Sequence, residues 1–240
     1  MNNNALLYFS LSLWRGFGRD YRAVAMTTLT PLFVLGMFAF MSRVTGGGAA
    51  MYAPAVGFAL MMVGSVQATR IVSWREKGVF RRLALTPQPL GGLVLGAAGA
   101  QLLLAFLQAL LIAVLGSLAF GLRLTVSGML LAILIIFLGA AFFVALGSLV
   151  GSLSPRAEVA NLVYIFSQLP LYFLGGGLPA EIMPAGLQKI SPYLPNTLLH
   201  RLLAAAAEGQ LPAAGIWLAV GLLGYTALLA LTAYRFFRRD

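Results

Sequence analysis

The sequence predicts an all-α integral membrane fold: six transmembrane helices, an interfacial helix before the first, a short helix in the loop between the second and third, and short re-entrant external helices between the fifth and sixth. Three observations predict it. Of 240 residues, 60% are hydrophobic and only 9% charged, against about 25% charged in a soluble domain, so too little polar surface exists to coat a water-soluble globule. The charges cluster, leaving charge-free runs at 23–42, 44–69, 83–122, 124–155, 159–180 and 209–234. A Lys, Arg or Asp at a helix centre costs roughly 2.5–3.5 kcal/mol and a crossing takes about 20 residues, so these runs mark the spans. Finally, five of the eleven prolines (Pro179, Pro184, Pro192, Pro195, Pro212) lie in one stretch, which permits only short helices there.

Taken in order, residues 5–22 form an amphipathic helix. Arg15, Arg19 and Arg22 recur at i, i+4 and i+7, beside Trp14, Phe17 and Tyr21. A basic stripe next to an aromatic one suits a helix lying among lipid headgroups. The run before Arg15 has no basic start and no small-residue cleavage site, so a cleaved signal peptide is not expected. The first span is 23–42 and the second 50–70.

The next segment, Arg70 to Arg82, carries six charges (Arg70, Arg75, Glu76, Lys77, Arg81, Arg82). Burying them would cost on the order of 15–20 kcal/mol, so the segment stays outside the hydrocarbon. Ser73 and Glu76 have capping-box spacing, Val79, Phe80 and Leu83 form an apolar stripe, and Thr86-Pro87 is a stop, which predicts a helix over 73–85. Arg81 and Arg82 stand near its C-terminal end, where the helix dipole favours cations.

The third span is 91–120, the fourth 125–151 and the fifth 157–176. In the fifth, Asn161, Tyr164 and Gln168 share one helix face at i, i+3 and i+7. Interhelical hydrogen bonding and a weakly polar wall for an amphipathic substrate are both readings of that face. Residues 178–208 hold the short external helices, with apolar pieces at 182–190 and 197–207. The sixth span is 212–234, and the whole chain, 1–240, forms one membrane domain.

The net charge is +10. With six spans both termini share a side. That side holds twelve of the sixteen Lys and Arg residues, and Arg43, Arg123, Lys189 and Arg201 lie opposite. Both termini are therefore expected to be cytoplasmic, in a multi-pass protein of the cell membrane. Placed at helix ends, the basic residues meet membrane lipids and no nucleic acid partner is expected.

Several chemistries lack their residues. There is no cysteine, hence no disulfide, thiolate metal site or cysteine nucleophile. No G-x-x-x-x-G-K-[ST] phosphate loop occurs, so any ATP hydrolysis belongs to a partner. No acidic or basic residue lies centrally in a span, which argues against proton- or sodium-coupled carriage. His200, the single histidine, lies on the external side beside Arg201, and Ser148 lacks the glycine after it that an intramembrane serine protease would use. No catalytic or metal-binding residues are expected.

The stretch Glu76-Lys-Gly-Val-Phe-Arg-Arg-Leu-Ala-Leu-Thr-Pro87 resembles the first cytoplasmic loop of ABC-2 type transport permeases, and Leu178-Pro-Ala-Glu-Ile-Met-Pro to Pro195 is similar to the segment between that family's last two spans. Family members often carry a second acidic residue just before the Glu76 position, where this chain has Trp74 and Arg75. The resemblance implies that 73–85 is a coupling helix seated in a groove of a separate ATP-binding subunit, with Glu76, Lys77, Gly78, Arg81 and Arg82 as docking residues. It also implies a second permease subunit, identical or paralogous, and a pathway beside the first and fifth spans, for which Asn161, Tyr164 and Gln168 are the candidates. ATP and Mg would bind the partner, and this chain would bind no cofactor. The expected function is export of a lipophilic or amphipathic substrate such as a drug, antibiotic or lipid-like molecule. The alternatives are a permease for a lipid-linked polysaccharide and a non-transporting membrane scaffold.

Overall fold

The computed structural model describes residues 21–84, 90–177, 183–211 and 213–236. Every regular element among them is helical. In order these are α1 (Tyr21–Thr45), a 3-10 turn (Gly48–Met51), α2 (Tyr52–Glu76), α3 (Val79–Ala84), α4 (Leu90–Ala119), α5 (Val126–Leu153) and α6 (Ala157–Tyr172). A π turn (Phe173–Gly177), α7 (Ala185–Ile190), a 3-10 turn (Ser191–Tyr193), α8 (Pro195–Glu208) and α9 (Gly215–Phe236) follow. Six of these, α1, α2, α4, α5, α6 and α9, are long and apolar enough to cross a membrane.

Helix α2 is the axis of the bundle. It packs against α1, α3, α4, α5, α6 and α8, while α9 lies at the edge on α5 and α8. The main core lies between α2 and α5, around Leu60, Met61, Ile136, Phe142 and Phe143. The two helices approach closely because small residues face each other. A Cβ on Gly147 would stand 2.9 Å from the Gly64 carbonyl carbon and nearer still to its oxygen, and one on Gly151 would stand 2.8 Å from the Ala68 carbonyl oxygen. Gly147-x-x-x-Gly151 therefore meets Gly64-x-x-x-Ala68 backbone to backbone. In lipid, where no hydrophobic force drives spans together, such close packing is what holds them.

Six long apolar helices are present as expected, and two details differ. The proposed 73–85 helix is not one helix. The second span runs on through Ser73 to Glu76, and the chain turns at Gly78 (φ +64°) into the short α3. Ser73 is thus inside a helix, where its carbonyl accepts from the Lys77 amide (3.0 Å), and the capping box does not form. Continuing α2 satisfies those backbone groups without a cap, and the left-handed turn that ends it favours glycine. The fifth span ends as an α-helix at Tyr172, after Pro170, and unwinds at Gly176 (φ +114°). The external pieces expected at 182–190 and 197–207 are α7 and α8. Pro192 and Pro195 stand in the first turns of the 3-10 turn and α8, where a missing N–H costs nothing.

Helix α8 is amphipathic and buries Leu198, Leu199, Leu202, Leu203 and Ala206. Leu199 reaches Gly139 and Leu60, about 12 Å along α2 from its start at 1.5 Å per residue. The expected interfacial helix at 5–22 lies outside the described residues, apart from Tyr21 and Arg22, which already belong to α1. The Thr86-Pro87 stop lies outside them too.

Candidate functional site: the elbow after α2 and its ties to α5 and α6

The last turns of α2 are fastened to three neighbours. The Arg70 guanidinium donates to Gln101 Oε1 on α4. Arg75 Nη2 donates to the Ser154 carbonyl just past α5. Glu76 Oε1 accepts the backbone N–H of Ala157, the first residue of α6, at 3.2 Å. That position carries the partial positive charge of a helix N-terminus, so a carboxylate there is favoured by charge as well as by the hydrogen bond. The sequence suggests a Glu76 that caps its own helix; the folded chain uses it to cap another.

Beyond Glu76 the chain reverses. The Gly78 amide donates to the Arg75 carbonyl (3.0 Å) and the Arg82 amide to the Gly78 carbonyl (3.2 Å), while Arg82 Nη2 donates to the Lys77 carbonyl (3.1 Å). Phe80 is buried, edge-on to Trp74 with ring centroids 6.1 Å apart, and this ring pair pins α3 beneath α2. Glu76, Lys77 and Arg82 are exposed on the outside of the bend. The elbow thus has an apolar inner side and a charged outer side. Of Arg81 only the backbone is described, as part of α3.

The second set of sequence candidates lies one helix away. Tyr164 is fully buried and its hydroxyl donates to the Met61 carbonyl of α2 at 2.8 Å. Asn161 Oδ1 accepts from Ser65 Oγ at 2.6 Å. Gln168 is buried, and its Oε1 has no hydrogen-bond partner among the described residues. Asn161, Tyr164 and Gln168 share a face by helical spacing, and Asn161 and Tyr164 bond from it to α2. The opposite face of α6 is exposed at Leu162, Val163 and Phe166. A cavity of about 200 Å³ lies between α1, α2 and α4, bordered by Thr28, Ser65 and Gln108. Ser65 belongs both to this cavity and to the contact with Asn161.

Sequence reading missed three functional contacts. The Arg75 tie to Ser154 and the Ser65 bond to Asn161 have no local signal. The Gly147-x-x-x-Gly151 spacing does carry one, being the small-residue pattern of close-packed spans.

Six crossing helices, a charged elbow at one end of the central one, and short helices folded back at the other define a polytopic membrane permease. The family model for ABC-2 family transporter protein matches residues 44–234. The chain belongs to the ABC-2 transporter family: it is the membrane permease of an ABC transporter, a subunit that works with an ABC ATP-binding subunit. No curated protein matches the chain.

Proposed function

We propose that this permease is half of an exporter, paired with a second permease subunit and driven by two ATP-binding subunits that dock on the elbow from the cytoplasm. The observation that carries the reading is the Glu76–Ala157 bond. Exposed Glu76, Lys77 and Arg82 face outward for a partner, while Glu76 holds the start of α6 and Arg75 holds the link between α5 and α6. A push on the elbow is thereby delivered to the helix that bears Asn161, Tyr164 and Gln168. Asn161 and Tyr164 pair with α2 in the present arrangement, Gln168 is buried on the same helix face, and the route opens along them as α6 parts from α2. The bonds to be broken are few and individually weak, near 0.6 kcal/mol for a typical interhelical bond in a membrane. Conformational exchange of that kind is within reach of ATP-driven closure.

The substrate class we favour is lipophilic or amphipathic. The walls along α1, α2 and α4 offer amide and hydroxyl groups amid aliphatic ones, and among the described residues no charged side chain lines the cavity there. An ion or a strongly charged solute would meet no counter-charge in it. Counted along the sequence, twelve of the sixteen basic residues fall on the side that six spans give to both termini, which supports cytoplasmic termini, and outward transport follows from the family resemblance of the loop.

The test is co-purification with the ATP-binding subunit, followed by substrate-stimulated ATP hydrolysis in nanodiscs. Glu76→Arg places a cation at the α6 N-terminus and removes the acceptor. The expected result is loss of stimulated hydrolysis. Intact binding and intact stimulation would refute the coupling assignment.

A further inference from the structure

Ser65 stands at a seam of α2. Met61 and Ser65, one turn apart, both bond to α6: the Met61 carbonyl accepts from Tyr164 (2.8 Å) and Ser65 Oγ donates to Asn161 Oδ1 (2.6 Å). Ala59, Met62 and Val66 recur at i, i+3 and i+7 and border the cavity of about 200 Å³ between α1, α2 and α4. At 3.6 residues per turn Ser65 falls between these two stripes, and it borders the cavity as well. Asn161 is not among the described residues on the cavity wall.

A hydroxyl carries a single proton. In the present arrangement the Ser65 proton is given to Asn161 and helps to hold α6 on α2. An acceptor atom seated in the cavity at Ser65 takes that proton only by withdrawing it from Asn161. A purely apolar molecule makes no such claim and leaves the contact intact. Binding of an acceptor and the Ser65–Asn161 bond therefore exclude each other, and two events that exclude each other are coupled equally in both directions.

We propose that Ser65 is a specificity-determining residue: cargo whose apolar body carries a neutral acceptor, such as a ketone, ether or amide oxygen, takes the Ser65 proton and so loosens α6. The cavity has room for a body of about seven non-hydrogen atoms, taking ~30 Å³ as the share of a water molecule. The inference rests on the reading that the route opens as α6 parts from α2, since it supplies the signal by which bound cargo favours that parting.

The experiment uses the full-length permease with its ATP-binding partner in nanodiscs. The probes are cyclohexanone, an acceptor without a donor, and methylcyclohexane, with a methyl group in place of the oxygen. Binding is read by saturation-transfer NMR against empty nanodiscs, and hydrolysis by phosphate release. Asn161→Ala removes the competing acceptor, so cyclohexanone should bind about threefold more tightly than to wild type, the equivalent of one interhelical bond, with methylcyclohexane unchanged. The double variant Ser65→Ala with Asn161→Ala should lose that gain. In wild type, cyclohexanone should raise ATP hydrolysis and methylcyclohexane should not. An unchanged cyclohexanone affinity in Asn161→Ala, an equal change for both probes, or a gain that survives in the double variant would overturn the proposal. Cyclohexanone-specific tightening without a rise in hydrolysis upholds the competition for the Ser65 proton and counts against the exporter reading. If Asn161→Ala does not fold, as judged by its elution in gel filtration, Asn161→Leu removes the same acceptor with a bulkier side chain and decides in its place.

Discussion

Adding one methyl group at Gly147 should loosen the whole bundle. In the folded chain a Cβ there would stand 3.0 Å from Gly64 Cα, 2.9 Å from its carbonyl carbon and closer to its oxygen. All three atoms are backbone, so no rotamer change relieves the overlap and α2 must move away from α5. Separation of 0.5–1 Å forfeits a quarter to a half of each contact's dispersion energy, and overpacking of a tight core typically costs about 1–3 kcal/mol. Against this, Gly→Ala in a helix interior gains about 1 kcal/mol of helix propensity. The clash wins because the affected contacts extend along the crossing, to Gly151 against Ala68 and to the Gln67 Nε2–Ser148 Oγ bond of 3.0 Å. A net loss of up to about 2 kcal/mol would lower the melting midpoint by up to about 8 °C. The control is Gly224→Ala on α9, where a Cβ would meet nothing within 4 Å; there propensity acts alone and the midpoint should hold or rise. Thermal unfolding of the purified protein, followed by monodisperse recovery in gel filtration, measures both. A Gly147→Ala protein that melts at or above the wild-type midpoint would refute the backbone-contact account.

The other predictions concern single polar groups. Tyr164→Phe keeps the ring and removes the bond to Met61; it should cost about 0.6–1 kcal/mol of thermal stability and raise basal ATP hydrolysis in the complex, because α6 is held less firmly. Gln168→Met removes a buried carbonyl oxygen with no partner among the described residues and should be neutral or slightly stabilising in the melt, while a drop in transport with unchanged stability would mark Gln168 as part of the route. His200 lies on α8, buried against Gly57 and donating from Nδ1 to the Gly175 carbonyl at 2.6 Å. Burial pushes its pKa down from 6.5 to about 4, only partly offset by that bond. With the folded value below the unfolded one, the neutral ring's contribution is complete above pH 6.5 and is lost as pH falls toward 4, by about 3 kcal/mol in all. Melting midpoints between pH 7.5 and 4.5 should fall more steeply for wild type than for His200→Asn, and parallel curves would refute this.

Composition and charge spacing suffice to place the six crossings, because inserting a charge into hydrocarbon costs more than any local preference can return. Pro192 and Pro195 likewise show where helices begin, since a missing N–H is tolerated only in a first turn. The shared face of Asn161, Tyr164 and Gln168 follows from helical geometry alone. The partner of that face does not. Met61 and Ser65 lie about a hundred residues earlier in the chain, and nothing local marks them as acceptor and donor.

The elbow divides in the same way. The sequence is enough to expect Arg70–Arg82, carrying Glu76, Lys77, Gly78, Arg81 and Arg82, outside the hydrocarbon, because six charges are too costly to bury. Whether Glu76 caps its own helix or another's is a choice between two nearby amides of similar worth. Only the tertiary packing of α6 beside α2, where Gly64 leaves room for Tyr164, brings the Ala157 amide within reach and decides it.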